Sequence, residues 1–265
     1  MADFLDILVR DAKETVKSGY YEIERAETAR RRLSLKESIK RCKHVPIIAE
    51  IKPSSPSYGN LRKISSLREV AAAMERGGAI GISVLTEPKH FRGSIKSLVE
   101  TRNYTSLPVL MKDVVVDPVQ IEAASKSGAD AVLLIYSIFK RGYIDSLVED
   151  MINLAHSMEL EVLLETHTKD EFLSALRTDA DLVGINNRDL KTLKVDLKVT
   201  ERILASAPQC DKIVVSESGI QKPEDIRFLC ACGAKTFLVG SAIMLAENME
   251  EKVRSLCLAY EDSKG

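Results

Sequence analysis

Two oppositely charged residues, Glu50 and Lys52, stand at the end of an apolar run that begins at Pro46. Side chains on a strand alternate between its two faces, so these two residues are predicted to point to the same side. A carboxylate beside an ammonium group at a strand end is either a plain ion pair or part of a catalytic site, and this stretch alone leaves both interpretations open. The carboxylate favours a charged lysine, which argues against Lys52 as a neutral amine nucleophile.

Polar residues that can act as acids, bases or hydrogen-bond partners close four other apolar runs: Lys112, Glu165, Asn186 and Glu217. The lysines admit two chemistries. One is a Schiff base with a carbonyl substrate, as in an aldolase. The other is general acid catalysis on a carbonyl or hydroxyl oxygen, with a glutamate as the base. Desolvating this many charges costs several kcal/mol each unless they are paired, so stability alone does not explain them.

The elements that must position these residues form a repeating pattern. Short apolar, β-branched runs occupy residues 46–51, 80–85, 108–112, 131–136, 161–165, 182–186, 212–217 and 236–240. Segments of helical character lie between or after them, including residues 64–77, 118–128, 144–158, 169–178, 222–233 and 241–258. Eight strand–helix units in ~220 residues predict an α/β fold, a (β/α)8 TIM barrel. A doubly wound open sheet is the alternative, but its first strand is normally followed by a glycine-rich dinucleotide loop, and none follows here.

In a TIM barrel the active site lies at the C-terminal ends of the strands, which is where the candidate residues fall. Ser218-Gly219 and Gly240-Ser241 follow the last two predicted strands. Each glycine lets the backbone approach a ligand closely, and residues 241–245 predict a short helix whose free N–H groups can bind phosphate. Ordinary turn glycines are the alternative. Their position after the last two strands favours a phosphorylated small-molecule substrate.

Residues 1–45 are predicted to form an N-terminal helical extension. Residues 3–43 show no strand pattern, Phe4, Leu5, Ile7 and Leu8 recur at helical spacing, and residues 33–42 are amphipathic. We expect this extension to pack on a barrel of residues 46–258, so that residues 1–265 form a single domain.

Composition limits the function classes. The chain has 38 basic and 39 acidic side chains, which does not suit a nucleic-acid-binding protein. No apolar run approaches the ~20 residues that span a membrane, and the first residues do not resemble a secretory signal. The odd number of cysteines, 5, predicts reduced thiols in a cytoplasmic protein. The predicted exposed helices show no long apolar stripe beyond what the core requires, which favours a monomer.

No pattern of metal ligands is found. Cys230 and Cys232 are separated by one residue and lack a second Cys or His pair at the usual spacing. The histidines are scattered along the chain and are predicted to be structural or exposed: His44, His90, His156 and His167. We therefore expect neither a metal nor a cofactor.

Several motifs together resemble the indole-3-glycerol phosphate synthase family of tryptophan biosynthesis. They are Ala49-Glu50-Ile51-Lys52 with Ser55-Pro56-Ser57, Ser83-Val84-Leu85-Thr86-Glu87 with Phe91-Arg92-Gly93-Ser94, Leu110-Met111-Lys112-Asp113, Gly184-Ile185-Asn186-Asn187-Arg188-Asp189-Leu190, Ser216-Glu217-Ser218-Gly219-Ile220 and Val239-Gly240-Ser241. The resemblance covers about residues 46–245 in the right order and spacing. It also implies a helical N-terminal extension, which that family carries over its barrel.

The resemblance implies a carbon–carbon lyase. It would close the ring of 1-(2-carboxyphenylamino)-1-deoxyribulose 5-phosphate to give indole-3-glycerol phosphate, carbon dioxide and water. Lys112 would be the general acid for the carbonyl oxygen and Glu165 the base of the later dehydration. Lys52 would contact anionic groups and serve as a second acid.

The resemblance also implies the supporting roles. Glu50 and Glu217 would orient lysines and hydroxyls, Asn186 would hydrogen-bond the substrate, and Arg188 would steady the carboxylate network. The phosphate would be held by Ser55, Ser218, Gly219, Gly240 and Ser241.

Three residues depart from the family pattern. Val114 stands where an aromatic residue is common, which predicts a looser ring pocket with Phe91 as its main aromatic wall. Pro53 and Ser54 replace basic residues, which predicts a stiffer loop. Two other interpretations remain. One is another sugar-phosphate barrel, such as a Schiff-base aldolase or an isomerase. The other is a phosphate-binding barrel that has lost catalysis. The intact set of Lys112, Glu165, Glu217 and Asn186 argues against it.

Overall fold

The computed structural model describes residues 3–26, 31–55, 58–207 and 210–260, and its main feature is a closed parallel barrel. The strands are β1 (Ile47–Ile51), β2 (Ser54–Ser55), β3 (Gly59–Asn60), β4 (Gly81–Leu85), β5 (Val109–Lys112), β6 (Ala131–Ile135), β7 (Glu161–Thr166), β8 (Leu182–Asn186), β9 (Ile213–Glu217) and β10 (Thr236–Val239). The barrel order is β1-β4-β5-β6-β7-β8-β9-β10, with β10 pairing back to β1. The predicted (β/α)8 TIM barrel is therefore confirmed.

The barrel strands agree with the predicted apolar runs to within one residue at either end. All five residues of β1, β4, β6 and β8 are buried, because the barrel interior covers one face and the helices cover the other. The register pairs Glu50 with Ser83 and Asn186 with Glu217. The C-terminal ends of the strands thus meet at one end of the barrel, here called the barrel mouth.

The helices are α1 (Phe4–Lys17), α2 (Leu35–Arg41), α3 (Leu67–Arg76), α4 (Ile95–Tyr104), α5 (Pro118–Lys126), α6 (Tyr136–Lys140), α7 (Val148–Ser157), α8 (Lys169–Ala175), α9 (Lys198–Leu204), α10 (Pro223–Ala231), α11 (Ser241–Met244) and α12 (Met249–Cys257). The segment of helical character predicted over residues 241–258 contains α11, which matches the short helix predicted at residues 241–245, and α12. The segment is two helices, because the Asn248 side chain accepts the N–H of Glu251 and starts α12 as a new N-cap.

The N-terminal extension closes both ends of the barrel. Leu35 and Ile39 of α2 are buried at the end opposite the mouth, and a Cβ at Gly81 would lie 2.6 Å from Leu35 Cδ1. The Glu161 carboxylate at the start of β7 accepts the backbone N–H of Lys36 at 3.0 Å and the hydroxyl of Ser34. The other helix, α1, lies over the mouth, where the N–H of Phe4 donates to the carbonyl of Leu190 at 3.2 Å.

The loop after β1 contains a short hairpin that the sequence did not predict. β2 and β3 pair antiparallel, with Ser54 opposite Asn60 and Ser55 opposite Gly59. Pro56 and Ser57 of the loop motif lie outside the described residues. In the part of the chain that the structure describes, no helix has the length and apolar character to cross a membrane.

Candidate active site

A cavity of about 380 Å³ opens at the barrel mouth. Twelve of the predicted site residues line it: Glu50, Lys52, Phe91, Lys112, Glu165, Asn186, Arg188, Glu217, Ser218, Gly219, Gly240 and Ser241. They come from strands and loops distributed around the whole barrel, and closure of the sheet brings them together. The thirteenth, Ser55, is buried in β2 and is not part of the described cavity lining.

Lys112 lies between two carboxylates. Its Nζ, at the end of β5, donates to Glu165 Oε2 at 2.9 Å and to Glu217 Oε2 at 3.4 Å. The two glutamates are almost fully buried, at 2% and 1% exposure. A Cβ at Gly184 on the intervening strand β8 would collide with Glu217 Oε1, so a glycine is needed there to make room for this carboxylate.

The pKa values of these groups move in different directions. Burial lowers the pKa of Lys112, but Glu165, Glu217 and Glu50 outweigh it, so the pKa is raised and the lysine stays charged. Burial raises the pKa of Glu165, but Lys112, together with the nearby His167 and Asn186, outweighs it, so that pKa lies well below its usual value. For Glu217, burial and the neighbouring Glu165 prevail over Lys112 and raise the pKa to about 8. At neutral pH the cluster therefore holds a cation, an anion and a neutral acid.

Glu50 and Lys52 form the ion pair that strand alternation predicts. Lys52 Nζ lies 3.2 Å from Glu50 Oε1 and 5.8 Å from the centroid of the Phe91 ring. A Cβ at Gly240 would collide with the same Glu50 oxygen, so Gly240 is required where β10 ends beside β1. The pair lies at the wall of the cavity, where its ammonium group is available to an anionic ligand.

Asn186 and Arg188 are fixed by the end of β8. Asn186 Oδ1 accepts the backbone N–H of Arg188 at 3.0 Å, and Asn186 also hydrogen-bonds Glu165. The guanidinium of Arg188 donates to the carbonyl of Leu193 at 2.9 Å. Burial lowers the pKa of Arg188, although the charge of Glu50 acts against this. Arg188 thus presents a partly desolvated cation to the cavity.

The Ser218-Gly219 segment turns sharply at the end of β9. Both residues are left-handed, with φ of 66° at Ser218 and 88° at Gly219. A Cβ at Gly219 would collide with Val195, which closes over this turn. Gly240 precedes the short helix α11, whose first N–H groups lack intrahelical acceptors. Ser55 lies apart from this group, and its hydroxyl accepts the N–H of Tyr58, a residue that does line the cavity.

The rest of the cavity is largely apolar. The apolar lining includes Leu8 of α1, Phe91, Val114, Ile135 and Leu190. The polar and apolar parts of one cavity suit a substrate with an anionic end and a flat hydrocarbon end.

Sequence reasoning missed two residues that hold this site. The buried carboxylate of Glu87 accepts the backbone N–H groups of Lys89, His90 and Phe91 at 2.9, 2.7 and 2.9 Å, which fixes the loop that carries Phe91. His167 Nε2 lies 3.3 Å from Glu165 Oε1. The signal for His167 was its position two residues after Glu165, directly after the end of β7.

Within the described ranges, no three His, Cys, Asp or Glu side chains form a group that could hold a metal ion. The acid and base groups at the barrel mouth instead face one another directly, so the arrangement is suited to proton transfer on a small anionic molecule.

Two solved structures share the fold at low sequence identity. N-acetylmannosamine-6-phosphate 2-epimerase from Clostridium perfringens matches with a TM-score of 0.62 and 16% identity, over 82% of this chain and 93% of that chain. Thiamine phosphate pyrophosphorylase from Pyrococcus furiosus matches with a TM-score of 0.60 and 20% identity, over 88% of this chain and 100% of that chain. These likenesses concern the barrel fold alone.

Sequence comparison is far more specific. The family model for indole-3-glycerol phosphate synthase matches residues 5–256. Proteins named indole-3-glycerol phosphate synthase from Methanocaldococcus jannaschii and Methanopyrus kandleri are 42% and 43% identical, covering 94% and 80% of this chain and 92% and 82% of their own lengths. A protein of the same name from Caldanaerobacter subterraneus is 44% identical over 76% of each chain. The chain belongs to the indole-3-glycerol phosphate synthase family.

Proposed function

We propose that this barrel mouth catalyses the family's step in tryptophan biosynthesis, the conversion of 1-(2-carboxyphenylamino)-1-deoxyribulose 5-phosphate into indole-3-glycerol phosphate, carbon dioxide and water. The observation that carries the proposal is the ammonium group of Lys112, held between two buried carboxylates in the cavity of a chain that matches the family along residues 5–256. The substrate is thus a small phosphorylated molecule.

The first step is ring closure. The ring carbon that bears the carboxylate attacks the carbonyl carbon of the sugar, and Lys112 donates its proton to the carbonyl oxygen. The bond to the carboxylate then breaks, its electron pair returns to the ring, and carbon dioxide leaves. A lysine whose pKa is raised by neighbouring carboxylates arrives at this step fully protonated, as a general acid must.

The second step is dehydration. Glu165 takes a proton from the sugar carbon next to nitrogen, while Lys52 donates a proton to the departing hydroxyl group. Two protons are donated and one is accepted, so the substrate takes up one net proton. This uptake matches the charge of the carboxylate that leaves as neutral carbon dioxide.

The substrate is oriented by the two parts of the cavity. The phosphate is placed at Ser218-Gly219 and Gly240-Ser241, where the left-handed turn and the first turn of α11 expose backbone N–H groups. The aromatic ring is placed against Phe91, Val114 and Leu190. Arg188 and Lys52 supply positive charge between these ends. In this assignment Ser55 belongs to the loop that borders the phosphate.

A Schiff-base aldolase is the second candidate function. It requires a neutral lysine, whereas Lys112 lies between two carboxylates and Lys52 lies 3.2 Å from Glu50. Borohydride trapping of a substrate adduct on either lysine would support the aldolase over the synthase.

Indole formation from the anilino-ribulose phosphate, followed by absorbance or fluorescence, tests the proposed function. We expect turnover by the wild type and a loss on the order of a thousandfold in kcat for Lys112→Ala. Lys40→Ala is a control, because Lys40 forms an exposed ion pair on α2. Absence of turnover by the wild type contradicts the synthase assignment. Full activity of Lys112→Ala contradicts only the acid role of Lys112.

We also propose that the protein is a cytoplasmic monomer that needs no cofactor and binds no nucleic acid. Its nearly balanced charge supports the absence of nucleic-acid binding, and its unpaired cysteines support a cytoplasmic location. Sedimentation velocity tests the monomer, for which the expected mass is 29.3 kDa.

A further inference from the structure

His167 lies against the proposed base on the side opposite Lys112. Its side chain is 10% exposed, and its Nε2 is 3.3 Å from Glu165 Oε1. The other oxygen of Glu165, Oε2, accepts from Lys112 at 2.9 Å. Each oxygen of this carboxylate therefore has its own nitrogen neighbour.

The backbone of His167 is held by Glu171 of α8. The backbone N–H of His167 donates to Glu171 Oε2 at 2.9 Å, and the hydroxyl of Ser137 donates to Glu171 Oε1 at 2.9 Å. Both Glu171 and Ser137 are buried. The ring lies between two carboxylates, with Nε2 3.3 Å from Glu165 and Nδ1 4.0 Å from Glu171.

The ring nitrogens of His167 are buried without a hydrogen bond of good geometry to any described residue. A buried donor without an acceptor costs free energy, so it calls for an explanation in a native structure. Glu165 Oε1, 3.3 Å from Nε2, is an acceptor within hydrogen-bond distance of this ring.

A hydrogen bond from His167 to Glu165 would matter most during the dehydration step, after ring closure. Lys112 gives its proton to the substrate during ring closure, after which its ammonium group no longer holds Glu165 Oε2. Glu165 must then take a proton from a carbon atom in a defined direction. Asn186 still hydrogen-bonds Glu165 at this stage, and a donor at Oε1 adds a further point that fixes the direction of the carboxylate.

We propose that His167 is a positioning residue for Glu165, whose Nε2–H holds Oε1 while Lys112 is engaged with the substrate. This inference rests on the proposed function. The role is orientation and not a proton relay, since His167 Nδ1 lies 4.0 Å from Glu171 Oε2, which is too far for a hydrogen bond that would carry a proton onward.

The test compares His167→Leu with His167→Gln, which keeps an N–H donor of similar reach. In the assay of indole formation, we expect kcat of His167→Leu to fall on the order of tenfold to a hundredfold with KM nearly unchanged. His167→Gln is expected to recover kcat to within about threefold of wild type. His156→Leu is the matched control, because His156 also pairs with a carboxylate, Asp181 at 3.0 Å, but lies on α7 away from the cavity.

Circular dichroism and thermal unfolding separate orientation from folding. If His167→Leu does not fold, His167→Asn replaces it, since its amide is too short to reach Glu165 Oε1 and the same loss in kcat is expected. Unchanged kcat in the variant without the donor overturns the inference, as does an equal loss in His167→Gln. No turnover by the wild type contradicts the proposed function instead, so the two failures are distinguishable.

Discussion

At the scale of single residues, the site separates two carboxylates of the same type by their surroundings. Glu165 accepts a hydrogen bond from Lys112 Nζ at 2.9 Å, and its pKa is held well below the usual value. Glu217 accepts from the same Nζ at 3.4 Å, and its pKa is raised to about 8. Burial raises both pKa values, so the difference comes from their neighbours: Lys112, His167 and Asn186 lower the pKa of Glu165, whereas Glu165 and Glu50 raise that of Glu217. Glu165 is thus the nearer of the two carboxyl partners of Lys112 and the one held ionised.

The first prediction concerns Glu217 and the pH dependence of kcat. Glu217 ionises as pH rises through about 8. The new negative charge binds the proton of Lys112 more strongly and makes it a weaker acid, so we expect kcat of the wild type to decline above about pH 8. Lys112 itself does not cause this decline, because its own pKa is raised above its ordinary value.

Glu217→Gln tests this assignment, because glutamine stays neutral at every pH. We expect the variant to keep kcat within about tenfold of wild type at neutral pH and to lose the decline on the alkaline side. Complete pH–rate profiles of both proteins provide the measurement. A variant whose profile still declines near pH 8 would show that another group titrates there.

At the scale of secondary-structure elements, the barrel strands were the most predictable part. Fully buried parallel strands give continuous apolar runs, so the eight runs mark the strands directly. The partners of Lys112 were not predictable, because they follow from barrel closure, which joins residues 53 and 105 positions apart. The hairpin of β2 and β3 is held by local hydrogen bonds such as that from the Ser54 hydroxyl to the carbonyl of Gly59. The break before α12 is set by the Asn248 N-cap. Local bonds of this kind leave no periodic pattern in the sequence.

The placement of the extension was also beyond sequence reasoning. The amphipathic pattern of α1 and α2 shows that each buries one face but does not show against what. Contacts over a long sequence separation decide this. Asp130 accepts the backbone N–H of Leu33 at 2.7 Å and that of Val109 at 2.8 Å, and it forms a buried ion pair with Arg102 at 2.6 Å.

The second prediction concerns Asp130, which links the extension to β5 and α4. Asp130→Ala leaves the Arg102 guanidinium buried with one partner fewer and removes the acceptor of two backbone N–H groups. We expect the free energy of unfolding to fall by about 3–5 kcal/mol, measured by urea denaturation. The exposed pair of Glu37 and Lys40 is the control, and Glu37→Ala is expected to cost far less stability than Asp130→Ala. Similar losses in both variants would contradict the structural role given to Asp130.

At the scale of the whole molecule, the two ends of the barrel have different tasks. At the mouth, Gly184 and Gly240 leave room for the carboxyl groups of Glu217 and Glu50, while the opposite end is filled by apolar side chains of α2. In TIM barrels the mouth serves catalysis and the opposite end serves stability. Here one N-terminal extension contributes to both, since α1 supplies Leu8 to the cavity and α2 supplies Leu35 to the opposite end.

The last prediction separates these tasks with one substitution made at both ends. Leu35 is 1% exposed and packs only on protein, so Leu35→Ala creates a cavity and is expected to lower the free energy of unfolding by about 2–5 kcal/mol without changing KM. Leu8 is 5% exposed and faces the substrate cavity with part of its surface. We therefore expect Leu8→Ala to raise KM severalfold at a smaller loss of stability. Denaturant unfolding and steady-state kinetics on both variants provide the measurement. If the two leucines prove interchangeable in both readouts, the extension does not divide stability and substrate binding between its two helices.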